Sequence, residues 1–169
     1  MPELIFDTNV LSNFALAGQL ALLREIYPTS ANCTGYVFSE VHRGVRLGHE
    51  GLMALAAALD GGWPEQLQFT ALCERQLYEL LAVSLGDGEA SCLAIAASRG
   101  LVFACDDRLA RREATRLGVS LTGTVGILIK AVRLNLIELK AANALLKRMI
   151  AHGFYAPVKR LTRELVFDL

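Results

Sequence analysis

Leu4-Ile5-Phe6-Asp7-Thr8-Asn9 is the stretch from which the fold of this chain is read. Three apolar residues suited to a buried strand run directly into an aspartate. Val10, Leu11, Phe14, Leu16, Leu20, Leu23 and Ile26 then recur at helical spacing, punctuated near Gly18. If the run is a parallel strand, Asp7 stands at its carboxyl end, on the edge of an α/β sheet where ligands bind. A lone acid at such a place also has a plain structural use, because Asp7 or Thr8 can cap the helix that follows.

A second stretch repeats the arrangement. Leu101-Val102-Phe103-Ala104-Cys105 is an uninterrupted apolar run ending on Asp106-Asp107. Val119-Ser120-Leu121-Thr122 reads as a third buried strand and residues 66–72 as a short one, while residues 32–37 read as a connection with room for a short strand. Helices are expected over 38–47, with Glu40 in the first turn, and over 52–59, 74–83, 90–98, 108–117 and 141–151, with a long helix after residues 123–126 running to about 134 and a last helix in the tail packing back. Strands alternating with helices give an α/β fold, a three-layer α/β/α sandwich around a mainly parallel central sheet. One domain over residues 1–169 is expected, with a C-terminal helical extension from about 138 to 169.

Composition narrows the class. Of 169 residues, 53% are hydrophobic and 20% charged, which suits one full core rather than a disordered chain. No apolar run approaches the roughly 20 residues of a membrane span. Glu3 and Asp7 flank the first apolar run and no basic segment precedes it, unlike a signal peptide, so the expected compartment is the cytosol. Cys33, Cys73, Cys92 and Cys105, with His42, His49 and His152, show no zinc-ligand spacing; the thiols read as free and mostly buried. The net charge is zero but uneven: residues 1–100 hold five Arg against eleven acids, and residues 101–169 hold twelve Lys and Arg against six acids. A fold that sets the acids of one part beside the bases of the other could hold metal ions next to a polyanion. Solvated helix faces of differing sign would give the same tally.

Asp7 and Asp106 follow strands, and Glu40 and Glu89 lie near helix starts. Carboxylates gathered together repel one another unless a divalent cation neutralises them. Oxygen ligands suit Mg²⁺ or Mn²⁺, ions that activate water and stabilise charge on a phosphodiester. Each acid has a structural alternative: Glu89 complements the positive end of its helix, Glu40 is an ordinary first-turn glutamate, and Asp107 caps the arginine-rich helix behind it. Asp106 is therefore the preferred ligand of the adjacent pair.

Four stretches in order resemble the PIN-domain ribonucleases, and more narrowly the DUF3368 branch of VapC-like toxins. Ile5-Phe6-Asp7-Thr8-Asn9-Val10-Leu11 is similar to that family's opening strand and first acid, Ser39-Glu40-Val41 to its second acid, and Gly88-Glu89-Ala90-Ser91-Cys92-Leu93-Ala94-Ile95-Ala96 to the segment carrying the third. Leu101 to Arg111 resembles the strand that ends in the fourth. Thr122-Gly123-Thr124-Val125-Gly126-Ile127-Leu128 and Gly153-Phe154 are similar to a turn and a C-terminal segment of the same branch.

The resemblance implies that Asp7, Glu40, Glu89 and Asp106 bind Mg²⁺ or Mn²⁺, with the choice between Asp106 and Asp107 open. It implies that Asn9 orients Asp7 or a bound water, and that Thr124 either contacts phosphate or satisfies the backbone of its turn. The third acid is Glu89 where many such toxins carry Asp, and the longer side chain would shift an ion. The implied activity is RNA hydrolysis by a metal-dependent endoribonuclease, the toxin of a toxin–antitoxin pair, acting as a homodimer with a small antitoxin protein as partner. Arg108, Arg111, Arg112 and Lys130 are the basic residues expected to hold the RNA backbone, or else ordinary solvated positions. The alternative is a PIN scaffold that does not cleave and serves as a protein- or nucleic-acid-binding module. A receiver-like phosphotransfer domain would need a lysine on a late strand-to-helix turn, and residues 122–125 contain none.

Overall fold

Five short parallel strands form the centre of the computed structural model, which describes residues 3–167. They are β1 (Leu4–Phe6), β2 (Ala31–Thr34), β3 (Glu65–Leu67), β4 (Val102–Ala104) and β5 (Leu121–Thr122), in the order β3-β2-β1-β4-β5. Every residue of β1 is buried, and Leu4 lies opposite Ala31 on one side and Val102 on the other. A strand covered on both faces has no solvent side, so an unbroken apolar run encodes it better than alternation does.

The helices are α1 (Thr8–Leu16), α2 (Leu20–Ile26), α3 (Gly35–Arg46), α4 (Met53–Asp60), α5 (Leu72–Leu81), α6 (Asp87–Arg99), α7 (Arg108–Arg116), α8 (Thr124–Arg133), α9 (Leu139–Ala151) and α10 (Arg163–Phe167). Right-handed crossovers place the connections from β1 through β3 on one face and those from β3 through β5 on the other. Consistent with this, α1 packs against α2, α4, α8 and α9, while α6 packs against α5 and α7. Helix α3 touches both α1 and α6. The chain steps outward from β1 to β3, returns to β4 beside β1, and leaves in the opposite direction to β5. The order therefore reverses between β1 and β4, and the crevice beyond their carboxyl ends is where such sheets bind ligands.

Several boundaries differ from the sequence-based expectation. Residues 31–34 are a strand, and its two polar side chains are buried but satisfied: Asn32 Nδ2 donates to the Leu4 carbonyl at 3.0 Å, and the Thr34 and Ser91 hydroxyls pair at 2.8 Å. Thr34 Oγ1 also accepts from the Val37 amide, so α3 starts at Gly35 and Glu40 falls in its second turn rather than its first. β3 covers Glu65–Leu67 instead of residues 66–72, and β5 at the sheet edge is two residues long and half-buried. The core runs from β1 through Phe14, Leu93, Phe103 and Ile127 to Leu161 and Val166, so the predicted extension packs onto the sheet layers through α8. Positions 168 and 169 of that extension lie outside the described residues. Cys33, Cys92 and Cys105 are buried free thiols, and Cys73 is exposed. Among the described residues no helix is long and apolar enough to cross a membrane.

Candidate active site

Asp7 is fixed at the point where the strand order reverses. Its amide donates to the Ala104 carbonyl of β4 at 3.0 Å, and its Oδ2 accepts from the Asn9 amide at 3.4 Å, capping α1. The side chain is buried and opens on a cleft of about 220 Å³ that it shares with Thr8, Asn9, Glu40, Gly86 and Glu89. Burial, then the nearby Glu89 carboxylate and that of Glu40, pushes the Asp7 carboxyl up to about 8. The structure thus supplies this acid with an apolar seat and like-charged neighbours.

Glu40 reaches the cleft from α3. Its Oε2 accepts from the Thr8 hydroxyl and its Oε1 from the Gly88 amide at 3.1 Å. A Cβ on Gly88 would lie 2.6 Å from Glu40 Oε2, so the absence of a side chain there is what allows the carboxylate to settle. Glu89 is the third residue of α6 and its Oε2 accepts from the Gly86 amide at 3.0 Å, half of a capping box. Its pKa is raised by burial and by the charges of Asp107 and Glu40. Asp87 lies inside the first turn of this helix and accepts from the Tyr78 hydroxyl at 2.9 Å.

Asp106 occupies the N-terminal end of α8. Its Oδ1 accepts from the Thr124 amide at 2.9 Å, and its Oδ2 from the Thr124 hydroxyl at 2.5 Å and Asn13 Nδ2 at 3.2 Å. Burial raises its pKa, while those hydrogen bonds and the Arg111 charge oppose the rise. Gly123 repeats the role of Gly88, since a Cβ on it would meet Asp106 Oδ1 at 2.6 Å. Asp107 caps α7 by accepting from the Ala110 amide at 2.9 Å, and its charge acts on Glu89. Asp106 and Asp107 line an adjoining cleft with Asn13, Arg108 and Tyr155, and Asn9 lines both clefts.

The four basic residues divide. Arg108 borders the Asp106 cleft, and Arg112 is exposed on α7. Arg111 Nη1 donates to the Cys105 and Thr122 carbonyls at 2.7 and 2.9 Å, stitching the ends of β4 and β5 together. Lys130 lies six residues beyond Thr124 on α8, about 9 Å along the axis, with its Nζ 4.4 Å from the centre of the Tyr27 ring. Burial lowers its pKa. Asn13, Gly88 and Gly123 also shape the site without a role assigned to them from the sequence, and Thr8, a candidate cap there, instead donates to Glu40 while Asp7 is the cap. Asn13 had a faint signal, since it lies one helical turn after Asn9 on the same face.

The donor set is all oxygen and suits a hard divalent cation. Among the described residues, no three acidic, histidine or cysteine side chains are gathered closely enough to hold an ion unaided. Mg²⁺ commonly keeps several waters and uses one or two carboxylates plus substrate phosphate, so the Asp7 cleft fits that mode of binding. The family model DUF3368, described as a PIN domain, matches residues 3–166. No curated protein and no solved structure matches the chain.

Proposed function

Because this chain belongs to the PIN-domain family, a family of nuclease domains, we propose that it is a Mg²⁺- or Mn²⁺-dependent endoribonuclease, the toxin of a toxin–antitoxin pair. One observation carries the reading. A buried aspartate at the topological switch point shares its cleft with two glutamates whose charge it must tolerate. Asp7, Glu40 and Glu89 would hold the cation, which when bound supplies Lewis-acid stabilisation of a phosphodiester and a more acidic water.

The chain's own residues have separate tasks. Thr8 and Gly88 fix the Glu40 carboxylate, and the Gly86 amide fixes that of Glu89. Thr124 and Asn13 hold Asp106 at the wall of the adjoining cleft. Arg108 gives that side a positive rim for the nucleic-acid backbone, with Arg112 exposed on the same helix. A homodimer and a small antitoxin protein remain part of the proposal through the resemblance to VapC-like toxins. Incubation of purified protein with single-stranded RNA tests it: cleavage requires Mg²⁺ or Mn²⁺, stops with EDTA, and falls at least about 100-fold in Asp7→Asn, the scale of losing one preorganised charged group. Unchanged cleavage by Asp7→Asn overturns the reading.

One observation favours the non-cleaving scaffold. Both oxygens of Glu40 and of Asp106, and one of Glu89, already accept hydrogen bonds from the protein. RNA binding that tolerates EDTA, with no cleavage under either metal, would establish that alternative.

A further inference from the structure

A third cleft, of about 180 Å³, includes Ser39, the neighbour of Glu40 on α3, and has a different character. Tyr36, Ser39, Leu67, Gln68 and Phe69 line it over the buried Ile95. Tyr36 lies four residues before Glu40 on α3, so the two side chains share a helix face about 6 Å apart along the axis. The Tyr36 ring stacks on that of Tyr78 at 5.0 Å with planes 30° apart, and Phe69 closes the group at 6.4 Å from Tyr36 and 5.4 Å from Tyr78. Tyr36 nevertheless keeps 37% of its surface exposed. The Tyr78 hydroxyl donates to Asp87, whose neighbour Gly88 donates to Glu40. The aromatic group and the acid cleft are therefore built on the same first turn of α6.

The wall of this cleft is held rigidly by groups that take no part in the acid site. Glu74, 1% exposed, accepts from the Thr70 and Ala71 amides and from Arg99 Nε at 2.7 Å. Arg99 Nη2 in turn donates to the Gln68 carbonyl at 2.6 Å. An ion pair with its carboxylate buried and its guanidinium partly exposed thus pins the segment that presents Gln68 and Phe69, while Gln68, whose amide has donors and an acceptor, is exposed. Preorganised aromatic surface beside an exposed amide suits a flat heterocycle that carries hydrogen-bonding edges.

We propose that the Tyr36–Phe69–Gln68 cleft is a nucleobase subsite, which seats one unpaired base of a single-stranded substrate next to the phosphate held at the acids. The assignment rests on the nuclease reading and narrows it to single strands, because a base inside a duplex has both faces covered. Gln68 reads the edge of the base and Tyr36 carries its face.

Fluorescence anisotropy with a short fluorescein-labelled single-stranded RNA tests this, using Asp7→Asn protein so that the probe survives. One abasic nucleotide is moved along the RNA. Stacking energies predict that an abasic site at one position weakens binding roughly tenfold. The same substitution is silent when Tyr36→Ala is added, and Tyr36→Phe restores the effect. Gln68→Ala, an exposed change that leaves the fold intact, alters the preference among bases at that position. An abasic penalty that persists in Tyr36→Ala, or a blunt duplex that competes as well as the single strand, overturns the subsite. RNA cleavage that depends on Asp7 while Tyr36→Ala changes neither affinity nor KM removes the subsite alone. Absence of any RNA binding or cleavage removes the nuclease reading and the subsite together.

Discussion

At the scale of single residues the site depends on two missing side chains as much as on its acids. Gly88 and Gly123 each leave the space that a carboxylate fills, but their surroundings differ. The atoms that a Cβ on Gly88 would meet belong to the end of the Glu40 side chain, which lies on an exposed residue and can move. A Cβ on Gly123 would meet Asp106, already tied to Thr124 and Asn13, and the Cys105 backbone carbonyl at 3.1 Å. Gly123→Ala is therefore expected to destabilise the fold by about 1–3 kcal/mol, the usual range for overpacking. Gly88→Ala leaves the unfolding temperature nearly unchanged while lowering metal affinity. Denaturant unfolding and metal titration of both variants check the contrast; equal stability losses would contradict it. Asp7 was legible in the sequence because a strand end needs only its own neighbours to be recognised. Asn13 was not, because its partner Thr124 lies 111 positions away. Arg111 was legible only as a charge, and its use on two carbonyls depends on where β4 and β5 end.

At the scale of elements, the boundaries follow capping. Thr34 closes β2 and opens α3 in one residue, which moved Glu40 one turn deeper than the apolar spacing suggested. The segment before α5 is governed by Glu74, whose pKa is lowered to about 2 first by its hydrogen bond with Arg99 and also by the Thr70 and Ala71 amides. A carboxylate depressed in the folded state contributes stability that is present above its unfolded value of about 4.5 and is lost as pH falls toward 2. Glu74→Gln should remove that part of the acid sensitivity, as followed by thermal unfolding from neutral to acid pH. Arg99→Ala leaves the Glu74 charge with only the Thr70 and Ala71 amides as donors and should cost about 1.5–3 kcal/mol at neutral pH. An acid-unfolding profile of Glu74→Gln that superimposes on wild type would show that the pair does not hold this segment. Nothing in the local sequence joins Glu74 to Arg99, because the pairing requires α5 and α6 to be packed together first.

At the scale of the molecule, apolar runs alternating with helical periodicity made the α/β class with a mainly parallel sheet readable from the sequence. The order β3-β2-β1-β4-β5 was not, since it depends on pairing between strands such as the polar β2 and the exposed β3. The uneven charge was also readable, but its distribution was not. Arg108 and Arg111 both border Asp106, Arg111 acting on it through its charge while its Nη1 is engaged with carbonyls, whereas Lys130 lies over the Tyr27 ring. On the proposed function, the buried Asp7 carboxyl receives a divalent cation. With its pKa near 8, Asp7 is mostly protonated at pH 7, and metal must displace that proton. The direct test is calorimetric titration of Mn²⁺ at pH 7 in two buffers of different ionisation enthalpy, for wild type and Asp7→Asn. Saturable binding that releases close to one proton is expected in wild type, with both the binding and the release lost in Asp7→Asn. Binding of equal strength in the variant, or no binding by folded wild type with or without RNA present, would rule out a metal site at Asp7.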